Sequence, residues 1–145
     1  MAKKYHASWQ KGTLQEESRI TIGDDSLMLI KPQTFMNSSG NVLPSLLKKG
    51  IKHNEILVVH DELEKPFGSV AIKEGGSARG HNGLKSIIEK IGPDFFRVRI
   101  GIGRPEQREH VPDYVLEPFN EPSEKVDAIL EKAVNELEKF ILTDI

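Results

Sequence analysis

The chain has 145 residues, 37% of them hydrophobic and 29% charged, the proportions of an ordinary globular protein long enough to bury a core. Cysteine is absent, which excludes disulfides, thiolate metal sites and a cysteine nucleophile. The formal net charge is −2, and no apolar run approaches the roughly 18 residues of a membrane-spanning helix, so no membrane partner is expected.

The N-terminal Met1-Ala2-Lys3-Lys4 is followed by no apolar stretch and does not read as a secretory signal. Charge is unevenly divided along the chain. Residues 1–72 carry a balance of +1, residues 73–108 one of +4 and residues 109–145 one of −7. A locally basic middle permits a phosphate-contacting face on an acidic protein, although from charge alone an unevenly charged solvated surface is the simpler account.

In chain order, the apolar stretches Tyr5–Trp9 and Leu27–Ile30 flank a polar section with Gly12, Gly23 and Asp24-Asp25, and read as a hairpin-like pair of strands. Ser38-Ser39-Gly40 opens a helix through Leu43, Leu46 and Leu47 that Gly50 stops, with Pro44 tolerated near its first turn. The continuous apolar run Ile56–Val59 suggests a central strand buried on both faces. Ser69–Lys73 alternates as a further strand. The glycine-rich stretch Gly75–Gly83 leads into a helix carrying Leu84, Ile87, Ile88 and Ile91, closed by Gly92. Phe96, Val98 and Ile100 alternate with Arg97 and Arg99 in another strand, which ends at Gly101-Ile102-Gly103. From Pro122 on, apolar residues from Val126 to Ile141 recur at helical spacing and form a core-facing stripe. Alternating strands and helices without repeats or linkers predict an α/β fold, with one domain over residues 1–145. Its mixed β-sheet is flanked by helices, and a long amphipathic helix closes the chain.

Such folds gather chemistry at loops beyond the carboxyl ends of strands. His60-Asp61-Glu62 follows the Ile56–Val59 run, where a rigidly held carboxylate can orient a histidine or a water; the bland alternative is that Asp61 caps a turn. No other histidine or acid stands at a recognisable ligand spacing, so no metal is expected. Asn37, entering the first helix, suits a helix cap, which needs no further explanation, and also offers an acceptor and two donors to a peptide group or a water. Gly75–Gly83 combines four glycines with Arg79, His81 and Asn82 and allows close approach to a large ligand, yet lacks the frame of a dinucleotide loop.

The ordered blocks Thr34-Phe35-Met36-Asn37-x-Ser39-Gly40, His60-Asp61-Glu62-Leu63, Gly80-His81-Asn82-Gly83-Leu84-Lys85 and Arg99-Ile100-Gly101-Ile102-Gly103 resemble the peptidyl-tRNA hydrolases of the bacterial type. The match is collinear from about Lys4 to the end, and Gly75–Gly83 with Gly103-Arg104-Pro105 is most similar to the eukaryotic members.

The resemblance implies hydrolysis of the ester joining a peptide to tRNA, which recycles tRNA from aborted translation, with no metal or organic cofactor. It implies that Asp61 holds the catalytic histidine in orientation, that Asn37 binds the peptide end and helps place water, and that Asn82 with His81 contacts the ester end. Phe35 and Met36 are implied as peptide-binding wall, and Lys73 and Arg99 as phosphate contacts on tRNA. The expected partner is the acceptor end of peptidyl-tRNA, and a monomer in the cytosol or the mitochondrion is expected.

Family members open with a strand, a Gly-Asn-Pro-Gly turn and a Thr-Arg-His-Asn segment that supplies the general base. Neither motif stands in this sequence, and none of His6, His53, His60, His81 and His110 replaces that base. The chain is therefore expected to lack the family's N-terminal segment and to be impaired in turnover, since losing a general base costs a factor of about 10² to 10⁴. A non-catalytic tRNA- or ribosome-binding module is the alternative, and a nucleotide-binding domain using Gly75–Gly83 is another.

Overall fold

The computed structural model describes residues 1–103 and 123–144. The chain divides into two compact units, Met1–Ile56 with Glu74–Phe95 and Leu57–Lys73 with Phe96–Ile145.

The first unit holds an antiparallel sheet of β1 (Gln10–Lys11), β2 (Gln15–Ile22) and β3 (Asp25–Pro32), in that order. β2 and β3 pair along their whole length, from Gln15 opposite Pro32 to Ile22 opposite Asp25. Their two-residue loop, Gly23-Asp24, places Gly23 at φ 60°, the positive φ that a tight hairpin requires of its first loop residue. Along β2 the burial alternates, with Ser18, Ile20 and Ile22 inward and Arg19 and Thr21 outward.

The expected partner of Leu27–Ile30 was Tyr5–Trp9, and this is corrected: the partner is β2, while residues 2–6 form turns. Ala7 N–H donates to the Ala2 carbonyl at 2.9 Å, which ties this stretch back on itself. The physical reason is loop closure, because a neighbouring segment with a glycine turn zips eight pairs at little entropic cost.

A 3₁₀ helix, Met36–Val42, runs directly into α1 (Leu43–Lys48), which accepts Pro44 in its first turn. α2 (Asn82–Ile91) buries Leu84, Ser86, Ile87 and Ile91 and ends at Gly92, whose N–H donates to the Ile88 carbonyl at 2.7 Å. Burying each such aliphatic side chain contributes about 1.5–3 kcal/mol relative to leaving it in water. The 3₁₀ helix packs on α2 at Gly40, whose N–H donates to Ser86 Oγ at 2.8 Å. A Cβ at Gly40 would come to 2.7 Å from the Ser86 carbonyl carbon, so only glycine permits this approach.

The second unit contains a mixed sheet in the order β4 (Leu57–Glu62), β6 (Phe96–Gly101), β5 (Val70–Glu74). β4 and β6 are parallel, with Leu57 opposite Phe96 and Glu62 opposite Gly101. β5 runs antiparallel to β6, as the bonds from Gly101 N–H to Ser69 C=O and from Gly75 N–H to Phe95 C=O at its two ends require. α3 (Ser123–Asp144) buries Ala133, Leu137 and Ile141, and its Phe140 ring meets Phe96 edge-on at 5.0 Å between centroids. The mixed sheet with helices and a long C-terminal helix is the fold class expected from the sequence.

One expectation within this unit is corrected. The apolar run does not form the central strand. β6 does, while β4 lies at the rim among the described residues and Val59 is 51% exposed. Arg97, on β6, is 3% exposed. Gly103 is described, whereas Arg104, Pro105, His110 and Pro122 lie outside the described residues.

Candidate active site

In the first unit, five of the residues singled out in the sequence stand on two packed elements. Phe35 precedes the 3₁₀ helix and is 86% exposed; Met36 and Asn37 are its first two residues and are also exposed. The capping alternative for Asn37 is corrected: the helix begins after Phe35 without any side-chain cap, and Asn37 Oδ1 instead accepts a long 3.5 Å bond from Ser38 Oγ. A phenyl ring and a thioether left in water beside a carboxamide make an apolar surface with a polar marker, suited to an extended peptide.

His81 is the N-cap of α2, with Nδ1 accepting from Leu84 N–H at 3.2 Å. Nδ1 therefore carries no proton there, and the neutral ring keeps its proton on Nε2. Asn82 is the first residue of the helix and is exposed. Gly83 lets these groups meet, for a Cβ at that position would lie 2.8 Å from Met36 Sδ and 2.9 Å from His81 Cε1. The preceding loop turns through positive φ at Gly75, Gly76, Arg79 and Gly80, a path that only one side-chain-bearing residue takes.

In the second unit, His60, Asp61 and Glu62 are the last three residues of β4 and not residues beyond it. Asp61 stands in the ladder opposite Ile100 and is half-buried. Glu62 is buried and its Oε2 lies 3.4 Å from Nε of Arg99, whose side chain is 13% exposed. Arg97 has its pKa lowered by burial, with the neighbouring Arg99 charge adding to the effect and Glu62 opposing it. Lys73, near the end of β5, is exposed. Among the described residues, no three of His, Cys, Asp and Glu gather as metal ligands.

The sequence did not point to the Glu62–Arg99 ion pair or to the burial of Arg97. The available signal was the pair of arginines two apart in one strand, which share a face and require an acid nearby if that face is covered.

A family model described as peptidyl-tRNA hydrolase matches residues 1–145. The peptidyl-tRNA hydrolase of Persephonella marina is 47% identical over 121 residues, which make up 82% of this chain and 62% of that protein. That of Fervidobacterium nodosum is 42% identical over 135 residues, 92% of this chain and 72% of its own. The crystal structure of peptidyl-tRNA hydrolase from Acinetobacter baumannii superposes with a TM-score of 0.82 at 35% identity, covering 95% of this chain and 70% of that one. The chain thus spans between about half and three quarters of the length of the curated relatives it matches.

Proposed function

Because the chain belongs to the peptidyl-tRNA hydrolase family, we propose that it serves the hydrolysis of the ester between a peptide and tRNA. The observation that carries this reading is the match over residues 1–145, and the resemblance of the motifs bearing Asn37, Asp61 and Asn82 supports it.

In that reaction a water activated by a histidine attacks the ester carbonyl, and Asp61 keeps the histidine in the working tautomer and direction. Asn37 and Asn82 hold substrate by carboxamide hydrogen bonds, a positional contribution to rate. The exposure of Phe35 and Met36 supports their assignment as a wall for the peptide. Lys73 is exposed and is assigned to a tRNA phosphate; Arg99, engaged through Nε with Glu62 and 13% exposed in its side chain, is assigned the same task. No metal or organic cofactor enters the scheme.

The family's general base has no counterpart among the five histidines of these 145 residues, so turnover by this chain as it stands is proposed to be impaired. His60 is buried at the end of a strand and His81 caps a helix, which supports leaving both out of that role. The likeness of Gly75–Gly83 to eukaryotic members, action as a monomer, and residence in the cytosol or mitochondrion belong to the same proposal. A binding module that engages tRNA without cleaving it is the second reading, favoured by the missing base.

Release of peptide from peptidyl-tRNA should be measured for this chain beside a version carrying the family's N-terminal segment. Turnover by the longer protein alone supports the proposal, and Asp61→Ala in it should reduce turnover by about 10² or more. Cleavage by neither, with tRNA still bound, leaves the binding module standing instead.

A further inference from the structure

The second unit holds a group of buried titratable side chains that the proposed reaction does not use. β4 and β6 pair in parallel, so residues opposite each other share a face. His60, Glu62, Arg97 and Arg99 therefore line one face, while Asp61 lies on the other with Phe96, Val98 and Ile100. On the first face His60 is 8%, Glu62 7% and Arg97 3% exposed, which is unusual burial for three ionisable groups on two strands.

The two neighbours of Asp61 are both anchored on that face. His60 Nδ1 lies 2.8 Å from the carbonyl oxygen of Asp61; a carbonyl only accepts, so Nδ1 donates its proton there. Glu62 receives Arg99 Nε at 3.4 Å through its side chain, and its backbone carbonyl accepts from Ile102 N–H at 3.1 Å. The peptide group that follows Asp61 and the one that follows Glu62 are thus tied down, and the Glu62 side chain is held by Arg99 on the face opposite the Asp61 side chain.

We infer that His60 and Glu62 are positioning residues, which fix the backbone of Asp61 from the opposite face of the sheet and so set the direction of its carboxylate. The inference rests on the reading that Asp61 serves hydrolysis, but the clamp itself is a property of β4 and is testable without turnover. A carboxylate that must hold an imidazole works only within a narrow range of directions, and a misplacement of about 1 Å costs up to a hundredfold in rate.

The test uses ¹³C and ¹⁵N NMR on the whole chain, with His60→Ala, Glu62→Gln and the pair Glu62→Ala with Arg99→Met. Glu62→Gln keeps an acceptor for Arg99. The pair removes both charges, so that no lone ion is left buried to unfold the protein. The carboxyl and carbonyl ¹³C signals of Asp61 should move in His60→Ala and in the pair, and stay near their original positions in Glu62→Gln. Unmoved Asp61 signals in folded variants overturn the clamp.

Kinetics form the second arm, in the protein carrying the family's N-terminal segment. His60→Ala should lower kcat about ten- to a hundredfold with KM within about twofold. On an Asp61→Asn background the same change should cost almost nothing. Equal losses on both backgrounds make His60 merely structural and refute its positioning role. If no protein containing Asp61 cleaves at all, the hydrolase reading falls while the NMR result still decides the clamp.

Discussion

Gly40→Ala tests how the segment bearing Phe35, Met36 and Asn37 is held against α2. The added Cβ would sit 2.7 Å from the Ser86 carbonyl carbon and 2.9 Å from Ser86 Oγ, and the nearest obstacle is backbone that cannot rotate away. The two helices must part, at about 1–3 kcal/mol for overpacking. Parting also stretches the 2.8 Å bond from Gly40 N–H to Ser86 Oγ, and a buried donor left without a partner costs about 1–3 kcal/mol. The stiffer unfolded chain returns about 0.4–1 kcal/mol. The net is a loss of about 3 kcal/mol. Urea unfolding with a slope of about 2 kcal/mol per molar then shows a midpoint lowered by about 1.5 M. Ser86→Ala separates the terms, since it removes the hydrogen bond and leaves the close approach, so that adding Gly40→Ala to it should cost only the steric part. A midpoint unchanged or raised in Gly40→Ala refutes the packing described here.

Three further outcomes are expected. Leu84→Ala removes a side chain that is 2% exposed beneath α2 and should cost about 2.7–5 kcal/mol in urea unfolding, with the higher figure if the cavity stays open. Phe140→Leu gives up the edge-to-face contact with Phe96 and should cost about 0.5–1.5 kcal/mol beyond any change in buried area, read from thermal unfolding. Lys73→Ala should leave stability unchanged within about 0.5 kcal/mol and reduce the slope of log affinity for tRNA against log salt by about 0.7–0.9; an unchanged slope removes Lys73 from the RNA contact.

The parts of the fold legible in the sequence were those where one period dominates. α3 shows its stripe from Val126 to Ile141, and α2 shows Leu84, Ile87 and Ile91 ahead of a glycine whose φ of 77° only a stop requires. β2 was hidden because its buried positions include Gln15 and Ser18, so that the alternation of Ile20 and Ile22 is too short to compete with the apolar Tyr5–Trp9. The place of β4 in its sheet was misread because an unbroken apolar run looks the same in a central strand and in one at the rim. Only the pairing of Leu57–Glu62 with Phe96–Gly101 on one side, and an exposed Val59, distinguish them. Of the candidate site, the residues were nameable from their motifs, but their neighbours were not. The cap made by His81 depends on its φ of −72° and ψ of 115° just ahead of α2, and the Glu62–Arg99 pair depends on a parallel register across 37 residues of chain.

That register also orders events while the protein is being made. The β2–β3 hairpin has both its strands as soon as Pro32 is synthesised and closes in about 1–10 μs. β4 has to wait, because its partner Phe96 comes 39 residues after Leu57, about 2–8 s of translation at 5–20 residues per second. The aromatic contact from Phe140 arrives 44 residues later still, after a comparable interval. For several seconds the nascent chain carries Val58 and Val59 on a strand without its neighbour, so the pace of the ribosome, and not the rate of pairing, sets how long a chaperone or a second nascent chain can reach it.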